Sequence, residues 1–300
     1  MSRAHTRTAP TIQLATILAW IAFALVMLVT LFPVYWVLRT ALSDYKEIYV
    51  QTFVLWPVGF TLDNFKRVLG MFSAEQSVAM GGTATGINFW LYLRNSIIVS
   101  TFLVAGQTFF SAMSAYAFAR LRFPGRDQLF FLYLTAMMIP GVVTLIPNFI
   151  LIRDLKWLDT FQGIMAPGFL MTPFTVFFLR QFFLGINHEL EEAATLDGAS
   201  IPMIFWRVAL PLSIPALSTL AILQFIATWN DYLWPFLVGK NEAVRVLTVA
   251  RAIFQSQTPQ GAPDWGGLMA GTALSLVPTL VIFLVFGRRA VNAIQFTGFR

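Results

Sequence analysis

An acidic stretch between two apolar segments contains the residues of this chain most suited to specific chemistry. Its centre is Glu192-Ala193-Ala194-Thr195-Leu196-Asp197-Gly198, and Glu189 and Glu191 precede that centre. Carboxylates are expensive at bilayer depth, so this stretch must lie outside the hydrocarbon. Glu192 and Asp197 offer acceptors to arginine or lysine of a partner, and the paired alanines let another backbone approach closely. We interpret the stretch as a docking surface, with a solvated amphipathic connector as the alternative.

The local sequence predicts that this stretch folds as a helical hairpin. Alanine and leucine favour a helix, and Glu191 and Glu192 favour its first turns, where the helix dipole is positive. We therefore expect a short helix to begin near Asn187. Gly198 permits the positive φ of a sharp turn, and Pro202 suits the first turn of a following helix.

The composition is that of a membrane protein. Of 300 residues, 57% are hydrophobic and only 11% are charged, and the mean hydropathy of +0.71 lies far from the balance of soluble domains. The absence of cysteine excludes disulfides and thiolate metal sites. The net charge is +6, but the basic residues are scattered along the chain. We therefore expect contact with anionic membrane lipids and no binding of nucleic acid.

Apolar windows of about 20 residues, long enough to cross the hydrocarbon core, predict an all-α polytopic membrane protein with six transmembrane helices. The predicted spans are 13–38, 91–119, 128–150, 163–179, 210–235 and 265–287. The first window is too long for the apolar part of a signal peptide, so we predict a retained span. Six prolines inside or at the ends of these windows are candidate hinges: Pro140, Pro147, Pro167, Pro173, Pro215 and Pro278.

The chain has no sequence motif for ATP hydrolysis. Its only Gly-Lys pair, Gly239-Lys240, has no glycine five residues earlier and no serine or threonine after it, so it is not a P-loop. The two histidines, His5 and His188, have no neighbours at metal-ligand spacing. We expect no catalytic residue, no metal site and no cofactor on this chain.

The acidic stretch also has a longer pattern. Glu192-Ala193-Ala194 is followed after three residues by Gly198, and nine residues later Val208-Ala209-Leu210-Pro211 completes the pattern. This pattern resembles the signature of the permease subunits of ATP-binding-cassette importers. Three further segments make the chain similar to the carbohydrate-uptake branch and its second maltose permease: Asn95-Ser96, 115–126 and 229–235.

The resemblance implies a permease subunit of an ATP-driven importer of sugars or related polar solutes. It implies four kinds of partner: a second permease in a heterodimer, two ATPase subunits that bind ATP and Mg²⁺, an extracytoplasmic solute-binding protein, and lipids. It also implies a coupling helix between the fourth and fifth spans, which assigns the contact with the ATPase to Glu192, Ala193, Ala194, Asp197, Gly198, Leu210 and Pro211.

The resemblance also gives the topology, which the charges alone leave open. Arg120, Arg122 and Arg126 favour one side as the inside, but the opposite face carries as many basic residues. Because the Glu-Ala-Ala loop of the family faces the cytoplasm, we expect both termini in the cytoplasm of a bacterium and the domain in its inner membrane. The expected organisation is a tail over 1–12, one permease domain over 13–300, outer loops over 40–90 and 236–264, and a coupling loop over 181–209.

Two features depart from the family pattern. Asn187 occupies the position at which proline is usual, which would shift the start of the hairpin. The last six residues, 295–300, lack the longer tail of small residues found in some relatives.

Polar residues inside the predicted spans are candidates for the solute path. They are Gln107, Asn148, Gln224, Asn230 and Asp231, and hydrogen bonds between helices would explain each of them equally well. Asp231 lies among Trp229, Tyr232 and Trp234, a set that could bind a polyol by hydrogen bonds and stacking. The alternative is a solvated aspartate in an interfacial aromatic belt.

Two other functions stay open at this point. A permease for another solute class, such as glycerol phosphate or peptides, would keep the fold and the mechanism. An ion-coupled secondary transporter or a membrane scaffold would require inverted repeats or buried charge pairs, neither of which the sequence indicates.

Overall fold

A computed structural model describes residues 14–50, 54–79, 88–256 and 264–296. Within these residues the chain is helical and contains no strand, which confirms the predicted all-α class. The α-helices of this part of the chain are α1 (Leu14–Ala41), α2 (Tyr45–Val50), α3 (Asp63–Val68), α4 (Ala74–Ala79), α5 (Phe89–Arg120), α6 (Arg126–Thr135), α7 (Gly141–Asp154), α8 (Phe161–Met165), α9 (Pro173–Leu184), α10 (His188–Leu196), α11 (Ile201–Ile204), α12 (Leu210–Leu212), α13 (Ile214–Trp229), α14 (Leu233–Val238), α15 (Leu247–Ser256) and α16 (Trp265–Phe296). Short 3-10 turns follow α6 and α8, and a π-helical turn, Phe205–Ala209, joins α11 to α12.

Three unbroken helices are long and apolar enough to cross a membrane. Their apolar parts are Thr16–Ala41, Phe89–Arg120 and Trp265–Gly287, which match the first, second and sixth predicted windows closely. Three bent pairs of helices pass the same test of length and composition, with bends of 95°, 47° and 75°. Counting each bent pair as one span gives six spans, the predicted number.

Prolines cause the bends of the third, fourth and fifth windows, which are not single straight helices. The residue before a proline is pushed out of the helical region, and Ile139 accordingly has φ −83° and ψ 115° before Pro140. Pro173 and Pro215 open α9 and α13, where the missing N–H costs nothing. Pro147 and Pro278, by contrast, lie inside α7 and α16 without interrupting them.

The outer segments contain more helix than the sequence indicated. The predicted loop over 40–90 holds α2, α3 and α4, and the predicted loop over 236–264 holds α15. Gln255 and Ser256 were expected in a loop and instead end α15. The predicted loop stretches 81–86 and 257–263, the tail 1–12 and the end of the chain, 297–300, lie outside the described residues.

Helix α5 is the centre of the packing. It packs along α9 and α13, while α16 packs against α13 and α1. Close approach of α5 to the turn after α8 requires a glycine, because a Cβ on Gly106 would lie 2.5 Å from the backbone oxygen of Phe169. No residue in the most apolar stretch of α1 is buried in the described structure, so this stretch can contact lipid or another subunit.

Candidate coupling hairpin and translocation cavity

The acidic stretch forms the predicted helix α10, and its first turn is capped as the sequence implies. The side-chain oxygen of Asn187 accepts the backbone N–H of Glu189 at 3.1 Å, so asparagine caps the helix where the family usually has proline. The helix therefore begins at His188, and the start of the hairpin is not displaced. Glu189 and Glu191 lie in the first turn, near the positive end of the helix dipole.

The turn after α10 is made by Gly198 in the left-handed region, with φ +84°. The N–H of Gly198 donates to the carbonyl of Thr195, and the N–H of Ala199 donates to the carbonyl of Ala194, which satisfies the end of the helix. Pro202 lies in the first turn of α11. The predicted helix-turn-helix geometry is therefore confirmed.

The tip of the hairpin presents a mixed apolar and acidic surface. Leu196 is 90% exposed, and Ala193, Asp197 and Gly198 are exposed beside it. The carboxylate of Glu192 is also exposed and lies 3.1 Å from Nδ1 of His188. The tip therefore exposes apolar and acidic groups side by side.

A cavity of about 600 Å³ lies at the base of the hairpin. Its lining combines basic groups with apolar side chains: Arg120, Arg122 and His188 with Leu196, Ile201 and Ile204. Glu191, unlike Glu192, points inward, and its Oε1 lies 3.2 Å from Nε of Arg120. The sequence analysis did not identify this ion pair.

Leu210 and Pro211 belong to the second arm of the hairpin. Leu210 is half-buried and packs on a cluster that includes Tyr116, Phe183 and Phe205. Pro211 has no N–H to donate to the carbonyl four residues earlier, and the backbone before it widens into the π-helical turn. Leu210 therefore anchors this arm to the membrane domain, while the exposed Pro211 shapes it.

A second cavity, of about 540 Å³, lies among the membrane-spanning helices. Its polar lining residues are Gln107, Thr172, Thr175, Gln224, Thr228 and Asp231. Three of the five candidates for the solute path, Gln107, Gln224 and Asp231, therefore line this cavity. The side-chain amide of Gln224 donates to the hydroxyl of Thr175 at 2.6 Å, so it also joins two helices.

The other two predicted residues of the solute path lie elsewhere. Asn148 is half-buried on α7, and Asn230 turns back to donate to the carbonyl of Ile226 in its own helix at 2.7 Å. Neither belongs to the described lining of the cavity. The amide of Asn230 therefore bonds the end of α13, and it neither lines the cavity nor joins two helices.

Asp231 lies at the edge of the cavity, and its side chain is exposed, as the alternative of a solvated aspartate requires. Its backbone carbonyl accepts the hydroxyl of Thr248 at 2.7 Å. This bond fixes the backbone of Asp231 beside α15 and leaves its carboxylate free to face the cavity.

The sequence analysis missed the hydroxyl groups of the cavity. Thr172 and Thr175 are three residues apart, and Gln224 and Thr228 are four apart, so each pair shares a helical face. This spacing was available in the sequence as a signal. The described residues contain no group of three histidine or acidic side chains that could hold a metal ion.

Known proteins with similar sequences are permease proteins of transport systems. The family described as "Binding-protein-dependent transport system inner membrane component" matches residues 107–292. The chain is 31% identical over 287 residues to the arabinooligosaccharides transport system permease protein AraQ of Halalkalibacterium halodurans, covering 94% of this chain and 96% of AraQ. It is 34% identical to the sn-glycerol-3-phosphate transport system permease protein UgpE of Escherichia coli O157:H7, covering 89% and 91%.

The fold is also that of a solved transporter chain. A chain of a crystal structure of a bacterial ABC transporter involved in the import of the acidic polysaccharide alginate superposes with a TM-score of 0.77. The two chains are 25% identical, and the match covers 93% of this chain and 99% of that one.

Proposed function

The chain belongs to the family of binding-protein-dependent transport system inner membrane components, and from this premise we propose that it forms half of the solute path of an ATP-driven importer. It is a permease of the ABC sugar-importer family, a membrane transport component and not an enzyme. The other half of the path would come from a second permease in a heterodimer. Both termini would lie in the cytoplasm, and the chain would sit in a bacterial inner membrane as one permease domain.

The hairpin α10–α11 is the proposed contact with the ATPase, and its exposed tip is the observation that carries this assignment. Leu196, Ala193 and Gly198 are exposed in the described structure, although they lie outside the apolar spans. A surface with an apolar centre and an acidic rim is typical of protein interfaces. ATP and Mg²⁺ would bind to two ATPase subunits, with no cofactor on this chain.

The cavity of Gln107, Gln224 and Asp231 is the proposed solute path on this subunit. Hydroxyl, amide and carboxylate groups beside apolar walls suit a neutral polyol, which needs both donors and acceptors. The described lining contains a carboxylate and no arginine or lysine, which favours a sugar over an anionic solute. An extracytoplasmic binding protein would deliver the solute to the outer side.

Glycerol phosphate import is the second candidate, favoured by the 34% identity to UgpE. The phosphate would then require basic groups from the partner permease, because this half of the cavity offers none among its described residues. Membership of the family argues against an ion-coupled transporter or a scaffold. Peptides are a further class of solute that is compatible with this membership.

Affinity purification of the tagged chain from mild detergent tests the proposal. We expect an ATPase and a second permease to be recovered in stoichiometric amounts, and recovery of the chain alone would contradict the assignment. Uptake competition then separates the solute classes. A sugar importer would be inhibited by unlabelled oligosaccharides and not by glycerol 3-phosphate, whereas the reverse result would favour the second candidate.

A further inference from the structure

Arg120 and Glu191 form a buried ion pair between the membrane domain and the base of the hairpin. Arg120 is the last residue of α5, and its side chain is only 7% exposed; the side chain of Glu191, on α10, is 10% exposed. The neighbouring Glu192 is exposed and faces His188 instead. A buried charge pair at this junction holds the two elements in one relative position, because separating the charges would leave both unpaired.

The same guanidinium also holds the end of α9. One of its terminal nitrogens donates to the carbonyls of Phe183 at 2.7 Å and Ile186 at 2.5 Å. These carbonyls lie at the C-terminal end of α9, where the helix dipole favours a cation. One side chain therefore joins α5, the end of α9 and α10.

The opposite end of α5 is attached to the outer side of the protein. The fully buried amide of Asn95 donates to the carbonyls of Ala243 and Arg245, each at 3.0 Å. The hydroxyl of Ser96 accepts the N–H of Leu247 at 2.8 Å. These bonds fasten the outer segment 240–247 to the first turns of α5.

The two attachments lie on a single helix without a break. Asn95 and Arg120 are 25 residues apart in α5, which corresponds to about 37 Å of helix. α5 is unbroken between these two residues and contains no proline, the commonest cause of a kink, so it can move as one body. Displacement of one end is therefore transmitted to the other.

We propose that α5 transmits movement of the hairpin to the outer segment 240–247, with the Arg120–Glu191 ion pair as its inner attachment. Arg120 is a positioning residue in this scheme, since it acts through the hairpin and contacts no solute. The inference rests on the proposed function, in which the ATPase moves the hairpin. It adds the route by which that movement reaches the outer face of this subunit.

A substitution of Glu191 by glutamine separates transmission from folding. Glutamine keeps the size of the side chain and removes its charge, while Arg120 keeps its bonds to Phe183 and Ile186. The contact between α5 and α9 therefore persists, and only the link to α10 is weakened. Glu189→Gln is the matched control, because Glu189 lies on the same helix and is exposed.

The test follows the outer segment directly and needs no knowledge of the solute. The chain has no cysteine, so Lys240→Cys gives a single reporter at an exposed position of the outer segment. The transporter, purified with its ATPase and reconstituted in liposomes, is labelled by an impermeant maleimide with and without ATP and vanadate. We expect nucleotide to change the labelling rate about five-fold or more, the lower range of typical coupling between sites.

Glu191→Gln should remove this nucleotide response without reducing the recovered ATPase or its hydrolysis of ATP, and Glu189→Gln should retain the response. Asn95→Ala should also remove the nucleotide response, because it breaks the attachment at the other end of α5. The inference would be overturned if Glu191→Gln and Asn95→Ala both kept the response. It would also be overturned if nucleotide did not change the labelling rate of the reporter in the otherwise native chain. Loss of response in proportion to loss of ATPase would show a purely structural role. Failure of the native chain to recover an ATPase is a separate result that would reject the proposed function.

Discussion

Arg67 and Asp264 lie 197 positions apart in the chain, and their side chains form an ion pair of 2.7 Å. The pair is buried, with 8% and 1% of the side chains exposed. Asn64 completes a small network, because it accepts from Arg67 and donates to the carbonyls of Ala41 and Ser43. The network therefore joins the C-terminal end of α1, helix α3 and the start of α16.

Removal of one charge from this network should destabilise the protein substantially. Asp264→Asn keeps an oxygen that can accept the N–H of Gly267 but leaves the guanidinium of Arg67 without its counter-ion. Such a change typically costs about 3–5 kcal/mol. We expect the apparent melting temperature in detergent to fall by about 10 °C, measured by tryptophan fluorescence.

Asp63→Asn is the control for this substitution. Asp63 pairs with Lys66 at 3.0 Å, and both side chains are more than 40% exposed, so the contribution is at most about 1 kcal/mol. The hydrogen bond from Lys66 lowers the pKa of the Asp63 carboxyl. Equal effects of the two substitutions would contradict the role assigned to the buried network.

Gly106 should be irreplaceable, whereas Gly271 should tolerate alanine. The added Cβ of Gly106→Ala would meet Phe169, whose ring is held by stacking on Phe102 with centroids 4.5 Å apart. Overpacking of this kind costs about 1–3 kcal/mol. At Gly271 the nearest atom would be a methyl carbon of Val68 at 3.9 Å, and alanine should add up to about 1 kcal/mol of helix propensity. The fraction of the purified protein that stays monodisperse after heating measures both effects. A Gly106→Ala protein as stable as the native chain would show that α5 and the turn after α8 do not lie as close together as described.

The hairpin could be predicted from sequence because its signals are local. Asn187 caps a helix, Gly198 supplies a positive φ and Pro202 opens the next helix, and each acts within a few residues of its own position. The six apolar windows were found for a similar reason, since hydropathy is summed over one continuous stretch.

The buried ion pairs and the bends depend on contacts that no local pattern reveals. Nothing near Arg120 in the sequence indicates that Glu191, and not Glu192, turns inward to meet it. Similarly, Pro140 breaks a span and Pro147 does not, because the outcome depends on what replaces the lost hydrogen bond. Of the residues predicted for the solute path, Gln107, Gln224 and Asp231 line one cavity, whereas the amide of Asn230 donates to the end of α13.

The cavity should be accessible to water, and single cysteines can test this. Ala227 lines the cavity and Ala216 is buried on the same helix, so Ala227→Cys and Ala216→Cys form a matched pair in a chain without cysteine. Because thiolate reactivity follows exposure, we expect Cys at 227 to react with a small polar maleimide at least about ten times faster. The transported solute should slow this reaction. Equal rates at the two positions would show that the cavity is closed to water.

Gly198→Asp should abolish binding of the ATPase while leaving the fold intact. In the described structure an added Cβ at Gly198 meets no atom within 4 Å, and aspartate tolerates a positive φ better than most residues. The cost to folding is therefore about 1–2 kcal/mol, but the new carboxylate would project from the tip beside Asp197 into the proposed interface. The measurement is the amount of ATPase recovered with the tagged chain, alongside its melting temperature.

Gly125→Asp provides the control for this last prediction. Gly125 also has a positive φ, +77°, and also meets no described atom within 4 Å of an added Cβ, but it lies in the turn before α6 and not on the hairpin. Both substitutions introduce the same charge at a positive φ. Aspartate is tolerated better at Gly125, which caps the start of α6, than at Gly198, which follows the end of α10, so the melting temperatures of both variants are measured beside the recovery of the ATPase. Loss of the ATPase in Gly198→Asp alone would assign the contact to the hairpin tip. Equal losses would attribute the effect to backbone strain, and full recovery in both would place the ATPase contact elsewhere on the chain.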